Sequence, residues 1–196
     1  MLISNEFEVA QPVDKVWRFF DNIPQVAACL PGTELTQDLG DDRYEGQVAV
    51  RMGPVKLQFA GKAHITERDD AAKRIVVDAS GAEVRGRGQA SMVVTAKLAP
   101  SGRGGTTVAV TQDLQLSGAA AQYGRGMISD VTSVLMRDFS ARMQDRIERT
   151  ERGESAEQIA AAPATSASGL TLGLRAAVMA LSRVFRRFFA PYQPTS

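Results

Sequence analysis

Six successive segments with an apolar–polar period of two, closed by one long segment with a helical period, constrain this chain more than any other feature. The two-residue period runs through 34–38, 43–52, 55–68, 74–80, 87–98 and 106–116, the pattern of strands with one buried face. Gly53-Pro54 and Asp69-Asp70 supply turn signals between strands. Ahead of them, residues 1–10 alternate in the same way. Pro12 then suits the first turn of a short helix with Val13, Val16, Trp17 and Phe20 on one face. A second short helix is expected over 23–29, stopped by Pro31-Gly32. After the strands, 119–149 carries Tyr123, Met127, Val131, Val134, Leu135, Phe139 and Met143 at helical spacing. This order predicts an α+β fold: a curved antiparallel sheet of about seven strands around a long C-terminal helix.

Small residues on the apolar face of that sheet bear on what it encloses. Along 55–65 the apolar set is Val55, Leu57, Phe59, Gly61, Ala63 and Ile65, with Lys56, Gln58, Lys62 and His64 on the other face. Gly46, Gly61, Ala63, Ala79 and Ala96 are small where a packed core favours bulk. Two readings stand side by side. The small residues leave a hydrophobic cavity between sheet and helix, or they bend the sheet and accept side chains from Trp17 and the long helix.

The C-terminal quarter has a different character. At 100° per residue, Leu174, Ala177, Val178, Leu181, Val184, Phe185, Phe188 and Phe189 fall on an arc of about 140°. Arg175, Arg183, Arg186 and Arg187 lie opposite, and no acidic residue follows Glu157. A cationic polar face opposite an aromatic apolar face is the pattern of a helix lying in a membrane surface, and four arginines near anionic lipids contribute roughly 4 kcal/mol at about 1 each. The competing reading is a helix that docks on its own domain or in a partner's groove. Residues 153–169 are small and polar and read as a flexible linker, with a typical span of about 23 Å. The expected organisation is therefore a body over 1–152, a linker over 153–169, an amphipathic membrane-anchoring helix over 170–190 and a disordered end over 191–196. Residues 1–163 hold 19 basic against 22 acidic residues, net −3, so no basic nucleic-acid face is expected on the body. The first residues lack the pattern of a secretory signal. The expected location is peripheral, on the cytoplasmic face of the inner or cell membrane.

Little in the chain points to catalysis. His64 is the sole histidine and is expected to face outward, which argues against a histidine dyad and most histidine metal sites. Cys29 is the sole cysteine and reads as buried packing with no base beside it. Glu83, Arg85 and Arg87 among Gly81, Gly86 and Gly88 lack the lysine and helix of a phosphate loop. They read instead as a bulged or bent strand pair. No catalytic residue and no metal site is expected.

Several short stretches, taken in order, carry a resemblance. They are Phe7-Glu8-Val9 with Pro12 and Val16-Trp17; Cys29-Leu30-Pro31-Gly32; the run from Val50-Arg51-Met52 through Gly53-Pro54-Val55-Lys56; Phe59-Ala60-Gly61-Lys62; Gly118; and Gln122-Tyr123-Gly124-Arg125-Gly126-Met127-Ile128-Ser129-Asp130-Val131. In these the chain resembles the G-subunit family of carbon monoxide dehydrogenase, within the START/polyketide-cyclase (SRPBCC) helix-grip superfamily, over about residues 1–150. The resemblance implies a non-enzymatic accessory protein of a molybdenum-containing carbon monoxide dehydrogenase or related hydroxylase, and a variable tail ending in a hydrophobic or amphipathic segment suits that family.

On this basis the cup is expected to carry a membrane quinone, menaquinone or ubiquinone, between the anionic-lipid membrane and the enzyme. Such a site needs apolar walls and one or two polar groups. The candidate walls are Phe20, Met52, Leu57, Phe59, Met92, Val94, Leu116, Met127 and Val131, with Gln122 and Tyr123 as hydrogen-bonding groups. Membrane contact is expected from Leu174, Arg175, Val178, Leu181, Arg183, Phe185, Arg186, Arg187, Phe188 and Phe189. A lipid or isoprenoid carrier without a redox partner, and a ligand-free membrane-recruitment adaptor, remain alternatives.

Overall fold

The structure is a computed structural model and describes residues 1–102 and 104–154. Met1–Ser155 form one compact unit. Its elements are β1 (Leu2–Val9), α1 (Val13–Phe20), α2 (Ile23–Cys29), β2 (Thr33–Gly40), β3 (Arg43–Met52), β4 (Val55–Asp69), β5 (Arg74–Glu83), β6 (Gln89–Pro100), β7 (Thr106–Leu116), a 3-10 turn (Gly118–Gln122) and α3 (Arg125–Glu151). The strands form one antiparallel sheet in the order β1-β7-β6-β5-β4-β3-β2. With α3 held in its curve, this is the helix-grip arrangement that the alternating segments and the resemblance led us to expect.

Local chemistry explains the two short helices. Pro12 caps α1 with its fixed φ of −59°, and Val16, Trp17, Phe19 and Phe20 bury the face toward the sheet. Trp17 Nε1 donates to Asp70 Oδ1 at 2.6 Å, tying α1 to the β4–β5 turn. Lys73 Nζ sits 5.6 Å from the same indole ring, within cation–π range. Asn22 caps α2, its Oδ1 accepting from the Gln25 amide at 3.1 Å.

Two boundaries differ from the sequence expectation by three residues or more. β5 runs three residues past 80, to Glu83. The long helix begins at Arg125 instead of 119. Gly118 holds a left-handed φ of +66°, and Gly124 caps α3 in an extended conformation. Two glycines so placed break the helical run that the apolar spacing alone suggests, and Gln122 and Tyr123 fall outside the long helix.

α3 also closes one edge of the sheet. β1 is an edge strand with unpaired backbone groups on its outer side, which invite unwanted pairing unless covered. Gln144 Oε1 accepts from the Ala10 amide at 2.9 Å, and Ser140 Oγ reaches the Glu8 carbonyl at 3.4 Å. The helix thereby covers part of the edge with polar side chains, while Phe139 meets Phe7 edge-on at 5.9 Å.

Candidate ligand-binding site

Alternation sends one set of side chains from every strand toward α3, and the strand register arranges them in rows. One inner row crosses the sheet as Gly46, Gly61, Gly81, Ala90 and Leu116; the next as Tyr44, Ala63, Ala79, Met92 and Leu114. Buried apolar residues gather on either side of this level. The larger cluster includes Val16, Trp17, Phe20, Cys29, Ile65, Ile75, Val108, Phe139 and Met143. The smaller is built from Ile3, Met52, Leu57, Leu114, Ala120 and Ile128.

Between them lies a waist whose inward residues belong to neither cluster: Gly46 and Val48 on β3, Gly61 and Ala63 on β4, Ala79 and Gly81 on β5, and Val131 and Leu135 on α3. These residues face the helix, yet they are half-buried rather than buried.

The glycines also serve the curvature. A Cβ on Gly81 would stand 2.9 Å from the Ala60 carbonyl oxygen, and one on Gly61 would meet the backbone at Ser80. The close approach of β4 and β5 therefore requires both. The two readings of the small residues are compatible here, since the bend itself needs them. Ala96 has a different part: it is 5% exposed and packs in the larger cluster.

The expected wall residues divide accordingly. Met52 and Leu57 are buried in the smaller cluster, and Phe59, Met92, Leu116 and Tyr123 pack against it half-buried. Phe20 is buried in the larger cluster with its ring 6.5 Å from that of Phe139, and Val94 packs on that cluster. Val131 lies at the waist. Gln122 and Met127 are exposed to solvent, Met127 by 45%, because α3 starts after the first and only just before the second. The membrane-contact residues expected between 174 and 189, and the linker from 155 onward, lie outside the described residues.

Two hollows are open to the surface. One, of about 570 Å³, runs between β1 and α3 past Asn5, Phe7, Ser133, Met136, Ser140 and Gln144. The other, of about 350 Å³, lies on the outer face among Lys62, His64, Asp78, Ser80 and Ser91. His64 is exposed there. Among the described residues no group of three or more His, Cys, Asp or Glu side chains is placed to hold a metal ion.

Several inward polar groups were not among the expected site residues. Gln112 is 8% and Thr132 9% exposed, and Asn5 lies half-buried on the inner side of β1. Glu83, at 3%, continues the inward set Ile75, Val77, Ala79, Gly81. Its carboxylate receives Arg87 Nε at 3.1 Å and Nη2 at 2.6 Å, along with the Arg85 amide at 2.9 Å. The Arg87 guanidinium, helped by these amides, holds the Glu83 carboxyl at about 2, against an ordinary 4.5. Period-two counting from Ile75 was the signal that could have flagged Glu83 as an inward acid. Cys29 is fully buried, and that burial pushes its thiol up to about 11 despite the nearby Arg146 and Arg142. It is neutral at physiological pH and a poor nucleophile.

Comparison with known proteins agrees with this architecture. The family described as the carbon monoxide dehydrogenase G subunit (CoxG) matches residues 6–148. No protein of curated function matches the chain in sequence. Among solved structures, a conserved protein from Geobacillus kaustophilus is similar at 20% identity with a TM-score of 0.68, covering 76% of this chain and 97% of its own. The Zhui aromatase/cyclase from Streptomyces sp. R1128 is similar at 16% identity with a TM-score of 0.56, covering 80% of this chain and 97% of its own. A protein from Thermus thermophilus gives 17% identity, a TM-score of 0.54 and coverages of 74% and 99%. At these identities the likeness is one of fold.

Proposed function

The chain belongs to the G-subunit (CoxG) family of carbon monoxide dehydrogenase, and on that premise we propose that it serves a molybdenum-containing carbon monoxide dehydrogenase or related hydroxylase as a non-enzymatic quinone carrier at the membrane. The observation that carries the ligand half of this reading is the waist. Most of its inward residues are glycine or alanine and all are half-buried, between two apolar clusters that would hold the rest of a hydrophobic ligand. Menaquinone and ubiquinone both have a flat head that needs such a slot and an isoprenoid tail that needs only apolar wall. The aromatase/cyclase with a related fold is an enzyme by its description. Here the sole cysteine is a buried, neutral thiol and the sole histidine is on the outer face, an arrangement that favours carriage over chemistry.

The membrane half rests on the cationic, aromatic pattern of 170–190, and the body supplies support of its own. The β3–β4 turn, the loop from 84 to 88 and the start of α3 lie at one end of the sheet. Arg87 Nη2 reaches the Lys56 carbonyl there, and the Ala119 amide reaches the Arg87 carbonyl. At this end Arg51, Lys56, Arg85 and Arg125 have no ion-pair partner among the described residues, and Val84 and Met127 are exposed by 52% and 45%. Toward the opposite end several cations are paired, Arg68 with Asp21, Lys73 with Asp14 and Arg43 with Asp41. Unpaired cations around exposed apolar tips suit an anionic lipid surface. Among the described residues no helix is long and apolar enough to cross a membrane, so the reading is of peripheral contact.

The test is respiration driven by carbon monoxide in cells carrying Val94→Trp or a deletion of 170–196. The carrier reading predicts loss in both, with Val94→Trp still bound to membranes. Normal respiration with Val94→Trp, together with loss on tail deletion, would reduce the role to recruitment of the enzyme.

A further inference from the structure

Three polar side chains interrupt the apolar interior at one level. On β7, Gln112 stands between Val110 of the larger cluster and Leu114 of the smaller. On β1, Asn5 stands between Phe7 and Ile3, which pack with the same two clusters in the same order. On α3, Thr132 follows Ile128 of the smaller cluster and precedes Phe139 of the larger. The register pairs Ile3 with Gln112 and Asn5 with Val110. The two amides are therefore diagonal neighbours on the inner face, within roughly 7–8 Å of each other at the backbone. All three lie where the two clusters meet, Gln112 and Asn5 one and two rows from the row of Ala63 and Ala79.

Their hydrogen bonds are incomplete. Thr132 Oγ1 is satisfied by the Ile128 carbonyl at 2.9 Å. Asn5 Oδ1 accepts from Ser133 Oγ at 3.1 Å, but its Nδ2, buried from solvent, has no partner. Exchanging the nitrogen and oxygen of that amide leaves one polar atom unsatisfied just the same. Gln112 is more than nine-tenths buried, and among the described residues no hydrogen bond reaches its side chain. Buried amides are nearly always bonded, because an unmet donor or acceptor gives up its hydrogen bonds to water with nothing in return. One buried amide nitrogen without a partner, beside a second amide that no group among the described residues meets, is the mark of a site whose partner comes from outside the chain.

We propose that Asn5 and Gln112 bind the oxygen-bearing head of the carried ligand beside the waist, with the groove between β1 and α3 as the way in. This rests on the carrier reading above and adds to it the groups that recognise the head. The groove passes Asn5 directly, and Phe7 and Met136 line it with apolar surface. A primary amide suits a ligand that alternates between a quinone and a quinol, since its NH₂ donates to a carbonyl and its oxygen accepts from a hydroxyl. Two amides can thus hold both redox states without a charged group, in keeping with a carrier that loads one form and returns the other.

The test uses the full-length chain with two probes: a naphthoquinone bearing a short alkyl chain, and the naphthalene of the same shape without carbonyls. Binding is read by equilibrium dialysis, and the quinone carbonyl stretch by infrared spectroscopy. Gln112→Leu and Asn5→Leu are each expected to weaken quinone binding by roughly threefold to tenfold, the range of a single hydrogen bond. They should leave naphthalene binding unchanged or tighter, and reverse the downshift of the carbonyl band seen with the unmodified protein. The thermal midpoint of Gln112→Leu should not fall, because no hydrogen bond among the described residues is lost with the amide; a merely structural glutamine would lower it. Equal quinone binding by variants and parent would overturn the amide assignment and leave the carrier reading standing. Failure of the unmodified protein to bind either probe would overturn both.

Discussion

Two single side chains make sharp demands on solution behaviour. Cys29 sits fully buried with its thiol near 11, so at pH 8 it stays protonated and shielded. Iodoacetamide should modify it only as fast as the body unfolds, and rapid labelling of the folded protein would contradict its position. Glu83 has the opposite shift. Its folded carboxyl lies at about 2 against an ordinary 4.5, so the carboxylate with its Arg87 partner stabilises the fold fully above about 4.5. That stabilisation is lost as the pH falls from there toward 2. Unfolding by urea across this range should show stability declining in the parent and a flatter profile in Glu83→Gln. Cys29 was legible as packing because a lone thiol beside an apolar helix has few other uses. The amides of Asn5 and Gln112 were not legible, since their meaning depends on which atoms remain unbonded after folding.

Among the elements, the strands were readable because a buried face imposes a strict period of two. β3 and β7 begin and end where that period does. The start of α3 was not readable from apolar spacing: Tyr123 and Met127 sit four apart as in a helix, yet the extended caps at Tyr123 and Gly124 separate the 3-10 turn from the helix. Glycine conformation outweighed side-chain period there. The consequence for stability is a steep gradient along α3. Met143 is fully buried and Met127 is 45% exposed, so Met143→Ala should cost about 2–5 kcal/mol and Met127→Ala less than about 0.5. Denaturant titration of the two variants separates them. Comparable losses would mean that α3 seats in the sheet differently from the arrangement described.

At the scale of the whole molecule, one end of the body combines cations with exposed apolar side chains. Arg51, Lys56, Arg85 and Arg125, without ion-pair partners among the described residues, share that end with Val84 and Met127, and the arginines of 170–190 add a second cationic element in sequence. Binding to anionic liposomes should therefore weaken strongly with salt, since exposed charges act over only about 8 Å at physiological ionic strength. Phe185→Asp with Phe188→Asp should reduce it further while leaving the body folded. Salt-independent binding, or none, would count against peripheral membrane contact.

The family match associates this chain with a carbon monoxide dehydrogenase; that it carries a quinone there is the central claim. That claim is tested most directly by extracting the full-length protein, purified from its native host, into organic solvent and identifying the contents by mass spectrometry. One quinone per chain is expected. A protein that comes away empty, and stays empty after incubation with quinone-loaded liposomes, would contradict it.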